Sequence, residues 1–167
     1  MKNESVFTSK YLLALVVVVL VVAAGTWYLT GPGVLKPPID GILCQAQEGS
    51  ALHFHVQVQL FREGRPVMVP AGIGVSNGCY YWVHTHTADG VIHIESPVVR
   101  EFTLGQFFDI WGQQPGAGIK VFAKKEGEKE FQEILGDWKS LILSPHQIIA
   151  LGTGNFLPQP FNFPAGL

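Results

Sequence analysis

Five of the chain's six histidines lie in two short segments that have the composition of β-strands. The first segment holds His53 and His55, and the second holds His84, His86 and, beyond an Asp-Gly pair, His93. Strand side chains alternate between the two faces of a sheet, so histidines spaced by two share a face. Imidazole is the commonest protein ligand for zinc and copper. The spacing therefore predicts a metal site on a sheet surface.

The turn after His86 decides whether the second group of rings converges. Asp89–Gly90 is typical of a two-residue type I′ turn, which needs positive φ at both central positions. That turn pairs His86 with His93 and His84 with Glu95, and directly opposed Cβ atoms are about 4.5–5.5 Å apart. A four-residue loop would pair His84 with His93 and keep the three rings on one face. A three-residue loop would turn His93 to the opposite face.

We predict binding of a divalent transition metal, copper or zinc, for capture or delivery of the ion. The principal ligands are His84, His86 and His93, and the supporting donors are Glu95, His53 and His55. His146, in the loop before the last predicted strand, is a possible additional ligand. Met68 is the only methionine beyond the N-terminal segment, which disfavours a methionine-rich Cu(I) carrier.

Two other functions remain open. The first is a non-metal, membrane-anchored interaction domain whose histidines line a surface or sense pH. The second is a zinc-dependent hydrolytic enzyme with an open coordination position and Glu95 or Asp89 as base. The chain contains no H-E-x-x-H motif, and no catalytic residue is predicted.

An uncharged, apolar run at the N-terminus predicts a membrane anchor. Leu12–Leu29 rises about 27 Å as a helix, enough to cross a hydrocarbon core, and Trp27 and Tyr28 suit an interface. Lys2 and Lys10 precede the run and favour a cytoplasmic N-terminus. The alternative is a signal peptide cleaved before Gly25. In both cases the remaining chain lies outside the cytoplasm.

The sequence divides into five predicted parts. They are a cytoplasmic N-terminus (1–10), a single-pass transmembrane anchor (11–29), a Pro/Gly spacer (30–38), an extracytoplasmic β domain (39–154) and an extended Pro/Phe-rich tail (155–167).

The net charge limits the classes of partner that the chain could bind. From Gly31 onward there are 9 basic and 12 acidic residues, a net charge of −3, which argues against nucleic acid as a partner. The predicted partners are the membrane, through the N-terminal helix, and a further membrane or extracytoplasmic protein.

Cys44 and Cys79 are the only cysteines, and an oxidising compartment favours one disulfide between them. Thiolate ligands for the metal are the alternative role.

The fold class is predicted as all-β, a mainly antiparallel β-sandwich or barrel with one short helix. Alternation is clearest in Ala51–Phe61, which places Leu52, Phe54 and Val56 opposite the histidines. The helix spans Thr103 to Gly112, where Thr103 and Gln106 form a capping box and Gly112 ends it. The further predicted strands are Ile39–Ala46, Pro66–Ala71, Cys79–Thr87, Val91–Ser96, Lys120–Lys124, Phe131–Leu135 and Gln147–Leu151.

Several stretches resemble an uncharacterised family of membrane-anchored extracytoplasmic proteins of bacteria and archaea. The stretches are LHFHVQVQLF, VPAGIGV, CYYWVHTHTADGVIHIESP, FTLGQFFDIWG and LSPHQIIALGTG. The HTHxxDGxIHIE motif is the most specific of them. The resemblance covers nearly all of the chain from Ile42 onward and implies a self-contained domain, but it assigns no activity and no ligand.

Overall fold

The computed structural model describes residues 4–30 and 36–166, with side chains described for 11–26 and 36–166. The first three residues of the predicted cytoplasmic segment, and residues 31–35 of the predicted spacer, lie outside the described residues. Contacts divide the chain into two units, residues 1–35 and 36–167.

The described residues of the first unit form a helix, α1 (Glu4–Thr30). Within the described residues, no helix combines the length and the apolar character needed to cross a membrane. The predicted transmembrane anchor therefore gains no support from the structure.

The second unit is built mainly from strands. Its strands are β1 (Cys44–Gln45), β2 (Leu52–Arg62), β3 (Arg65–Val67), β4 (Val75–Ser76), β5 (Cys79–Tyr81), β6 (Val83–His84), β7 (Val91–Ser96), β8 (Lys120–Lys124), β9 (Gln132–Glu133) and β10 (Gln147–Gly152). Its helices are α2 (Leu104–Trp111) and a short 3-10 helix (Trp138–Ser140). This confirms the predicted mainly β domain with one short α-helix.

The strands form two sheets of unequal size. The smaller has the order β1-β5-β4, and the larger has seven strands in the order β6-β7-β2-β10-β8-β9, with β3 paired to β2. All pairs are antiparallel except β2 with β10, which run parallel. Because β2 lies between β7 and β10, its two histidines are neighbours of the strand that carries His93.

The apolar face of the larger sheet packs on α2. The core takes Val56 and Val58 from β2, Ile92 and Ile94 from β7, and the buried face of α2. Thr103 and Gln106 form the predicted capping box, and Gly112 ends α2 in the left-handed conformation at φ 70°. One face of β7 and β2 is thus fixed in the core, which leaves the opposite face for the histidines.

The predicted two-residue turn at Asp89–Gly90 is wrong. His84 pairs with His93, not with Glu95, and Thr85–Gly90 connects β6 to β7. Gly90 has φ 80°, but the φ angle of Asp89 is not positive, so these two residues cannot form a type I′ turn. The Asp89 carboxylate instead accepts a hydrogen bond from the Val91 amide, at 3.0 Å.

Hydrogen bonds to neighbouring segments prevent the connection between β6 and β7 from forming a tight hairpin turn. The Thr85 amide donates to the Ile73 carbonyl at 2.9 Å, and the Val58 amide donates to the Gly90 carbonyl at 2.8 Å. A Cβ at Gly90 would lie 2.2 Å from the Val58 carbonyl oxygen, so only glycine fits there. The His84–His93 register is the one that the four-residue loop implied, and it keeps both rings on one face.

The predicted disulfide is confirmed. Cys44 and Cys79 form a disulfide that joins β1 to β5, just before the strand that carries His84. The tail runs without helix or strand from Asn155 and lies on the domain, where Phe156 stacks on Phe61 at 4.5 Å.

Candidate metal centre

Three adjacent strands present one row of histidines. His84 on β6 pairs with His93 on β7, and His93 pairs with His55 on β2. Two residues further along the same face, His53 on β2 pairs with Glu95 on β7. The alternation of β2 and β7, fixed by the core on their other face, therefore brings both predicted histidine segments into one cluster.

A first set of four donors forms a closed ring. The His55 Nε2 atom lies 3.1 Å from His53 Nε2 and 3.1 Å from His93 Nδ1. A carboxylate oxygen of Glu95 lies 3.2 Å from His53 Nε2 and 3.4 Å from His93 Nδ1. All four donor atoms are within 4.8 Å of one another. We call these four residues the β2–β7 set.

A second set of three donors forms a triangle beside the first. His84 Nε2 and His86 Nε2 are 3.1 Å apart, and a carboxylate oxygen of Glu48 lies 3.5 Å from the former and 3.3 Å from the latter. We call His84, His86 and Glu48 the β6 set. His93 and Glu95 also lie within 4.8 Å of the donors of His84 and His86.

These spacings match the edges of a metal coordination shell. Ligands about 2.0–2.1 Å from a tetrahedral zinc ion are about 3.3 Å from each other. The distances in both sets run from 3.1 to 3.5 Å. The donor atoms of each set are therefore close enough together to contact one metal ion.

The tautomer of His84 is fixed. Its Nδ1–H donates to the Tyr81 carbonyl at 2.8 Å, because a carbonyl oxygen can only accept. The Nε2 atom of the neutral ring then carries the free lone pair, and this is the atom that faces His86 and Glu48. Such an outer hydrogen bond is the usual partner of a metal-binding histidine. The ring is completely buried, so this donor is held rigidly.

Burial keeps the central imidazoles neutral. Desolvation, followed by the positive charge that His53 would carry, lowers the pKa of His55 to about 4. Desolvation, followed by the effect of His55, lowers the pKa of His93 to about 3. Burial also lowers the pKa of His84. Neutral imidazole is the form that binds metals, so these rings need lose no proton at pH 7.

Two carboxyl groups meet in the cluster. Glu95 lies in contact with Glu48, and its pKa is raised by burial first and by the charge of Glu48 second. Neighbouring carboxylates repel each other, and a bound dication would offset that repulsion.

His146 lies outside both sets. Its Nδ1 atom is 3.0 Å from Glu126 Oε1, and its ring packs on Phe163 with centroids 4.8 Å apart. Its backbone amide donates to the His55 carbonyl at 2.9 Å, and the charge that its ring would carry is one of the smaller causes that lower the pKa of His55. The other six predicted ligands are all in the two sets, and the cysteines are in the disulfide and provide no thiolate.

Sequence reasoning did not single out Glu48. It lies in the loop between β1 and β2, with no periodicity to mark it. Its neighbour Gly49 holds that loop against the end of β7: a Cβ there would lie 2.2 Å from the Ser96 carbonyl carbon. Glu48 could therefore not be identified as a donor from the sequence, because its position depends on the contact between its loop and β7.

Comparison with known proteins returns no match: no protein-family model, no curated protein sequence and no solved structure is similar to this chain.

Proposed function

We propose that this protein binds a divalent transition-metal ion at the β2–β7 set, for capture or delivery of the ion. The observation that carries the proposal is the closed ring of His53, His55, His93 and Glu95 donors, with neighbouring edges of 3.1–3.4 Å. Hydrogen bonds alone cannot satisfy this ring, because His55 Nε2 faces two ring nitrogens but has either one proton or one lone pair, so it can complete only one hydrogen bond. A cation satisfies every lone pair at once.

Zinc and copper(II) are the metals that the donors favour. Three imidazoles and a carboxylate suit both ions, whereas Cu(I) prefers thiolate and thioether ligands. Met68 is 71 % exposed and is not among the donors, and the disulfide removes both thiols.

The proposed location is outside the cytoplasm. The Cys44–Cys79 disulfide supports it, because such bonds persist in oxidising compartments. Attachment to the membrane through residues 11–29, with the N-terminus inside, rests on the uncharged sequence of that segment. The proposed relationship to membrane-anchored extracytoplasmic proteins rests on the resemblance of several sequence stretches, of which the HTHxxDGxIHIE motif is the most specific.

The proposal is tested by competition for Zn²⁺ and Cu²⁺ against a chromogenic chelator, using the full chain in mild detergent. We expect tight binding at the β2–β7 set, and His93→Ala should weaken binding at that set by about 100-fold or more, because loss of one ligand exceeds the 10–100-fold effect of losing an outer-shell partner. His146→Ala is the matched control, since it removes the one histidine outside both sets, and it should bind as the unaltered chain does. Equal affinity in His93→Ala, or no binding at all, would refute the proposal.

A further inference from the structure

The cluster contains more donors than one ion can use. The β2–β7 set supplies four and the β6 set supplies three, and zinc in proteins is almost always four-coordinate. A single ion in the β2–β7 set would leave the β6 set with two imidazole nitrogens 3.1 Å apart and a carboxylate beside them. The function proposed above therefore does not account for the β6 set.

The β6 set has the geometry of one face of a coordination tetrahedron. All three of its edges lie between 3.1 and 3.5 Å, so an ion at bonding distance from His84, His86 and Glu48 sits just above their plane. His84 is the rigid member, completely buried and oriented by the Tyr81 carbonyl. The side chains of His86 and Glu48 are each 40 % exposed, which leaves a path from solvent.

The two sets share a boundary. The His93 ring is stacked on that of His84 with centroids 5.6 Å apart, and meets His86 edge-on at 4.5 Å. The contact between Glu95 and Glu48 lies on the same boundary. Two dications close together repel, and a carboxylate from each set offsets that repulsion where it is largest.

From this arrangement we propose that the cluster is a dinuclear centre. One divalent transition-metal ion binds to the β2–β7 set, and a second binds to His84 Nε2, His86 Nε2 and the Glu48 carboxylate. The inference rests on the proposed function, which supplies the first ion. The second ion has three protein ligands and a coordination position open to solvent, the position through which an ion is exchanged with a partner or a water is activated.

Metal stoichiometry separates the two claims. The full chain in mild detergent is dialysed against buffered Zn²⁺, and bound zinc per chain is measured by mass spectrometry. We expect two ions in the unaltered chain and in His146→Ala. We expect one ion in His84→Ala/His86→Ala and one in His53→Ala/His55→Ala, each checked for folding by circular dichroism.

The outcomes are distinct. Zero ions in the unaltered chain overturns the proposed function. One ion in the unaltered chain that is kept in His84→Ala/His86→Ala and lost in His53→Ala/His55→Ala overturns the second site alone, whereas the reverse pattern overturns the proposed function at the β2–β7 set. Loading with Cu²⁺ adds a test of adjacency that does not depend on the count. Magnetic coupling between two Cu²⁺ ions in the electron paramagnetic resonance spectrum is expected, and a spectrum of two isolated ions overturns the dinuclear arrangement.

Discussion

Addition of Zn²⁺ to the metal-free protein is expected to raise the free energy of unfolding of residues 36–167 by about 4 kcal/mol, when free zinc is 1,000 times the dissociation constant. The donors come from β2, β6, β7, the connection between β6 and β7 and the loop before β2, so folding is what assembles them. The unfolded chain offers only pairs such as His53 and His55, which bind more weakly. Metal binding is therefore linked to stability.

This gain corresponds to a rise of roughly 10–20 °C in the melting temperature of a domain of this size. Differential scanning calorimetry with and without zinc measures it. His146→Ala should show the same rise. A variant with alanine at His55, His84, His86 and His93 removes donors from both sets and should show almost none. An unaltered melting temperature in the zinc-loaded native chain would contradict the account.

The metal-free protein should lose roughly 2–4 kcal/mol of stability between pH 7.5 and pH 5. In the folded protein the pKa of His55 is about 4 and that of His93 is about 3, whereas an unfolded histidine has a pKa near 6.5. Below pH 6.5 these two histidines become protonated in the unfolded state but stay neutral in the folded state. Each histidine then costs about 1.4 kcal/mol per pH unit until the folded pKa is reached.

The sign follows from the lowered pKa. The contribution to stability is fully present above pH 6.5 and is lost as the pH falls towards 4 and 3. Urea denaturation of the chelator-treated protein at several pH values measures the slope. A His55→Gln/His93→Gln variant lacks both groups and should show a much flatter profile over the same range. A steeper or unchanged slope in that variant would show that other groups control the acid sensitivity.

Elements with strong local signals could be predicted from the sequence. Thr103, Gln106 and Gly112 define both ends of α2, because a capping box and a left-handed glycine are determined by neighbours within one turn. The alternation of β2 placed His53 and His55 on one face, and burial of Val56 and Val58 on the other face bears this out. The two cysteines were enough to predict their disulfide.

The register at His84 depended on contacts distant in sequence. The Asp-Gly pair favours a tight turn locally, but Thr85 binds the loop at Ile73 and Gly90 binds β2 at Val58. These contacts open the connection and move His84 opposite His93. The two-residue spacing of the histidines survives such a change, so the rings still converge.

The pairing of the two histidine segments also could not be predicted from the sequence. Nothing local specifies that β2 pairs with β7, or that β10 runs parallel on its other side. Glu48 joins the cluster only because its loop is packed against the end of β7. The donors on strands followed from periodicity, and His86 followed from its two-residue spacing from His84, whereas Glu48 and the division into two sets came from tertiary packing.

X-ray absorption spectroscopy of the zinc-loaded chain tests the central claim most directly. We expect zinc–nitrogen and zinc–oxygen distances of about 2.0–2.1 Å, with the multiple-scattering signature of several imidazoles and no sulfur ligand. That signature should weaken in His55→Ala/His93→Ala and persist in His146→Ala. A spectrum with water and carboxylate oxygens only would show that zinc binds elsewhere on the surface, and that the five clustered histidines are not its ligands.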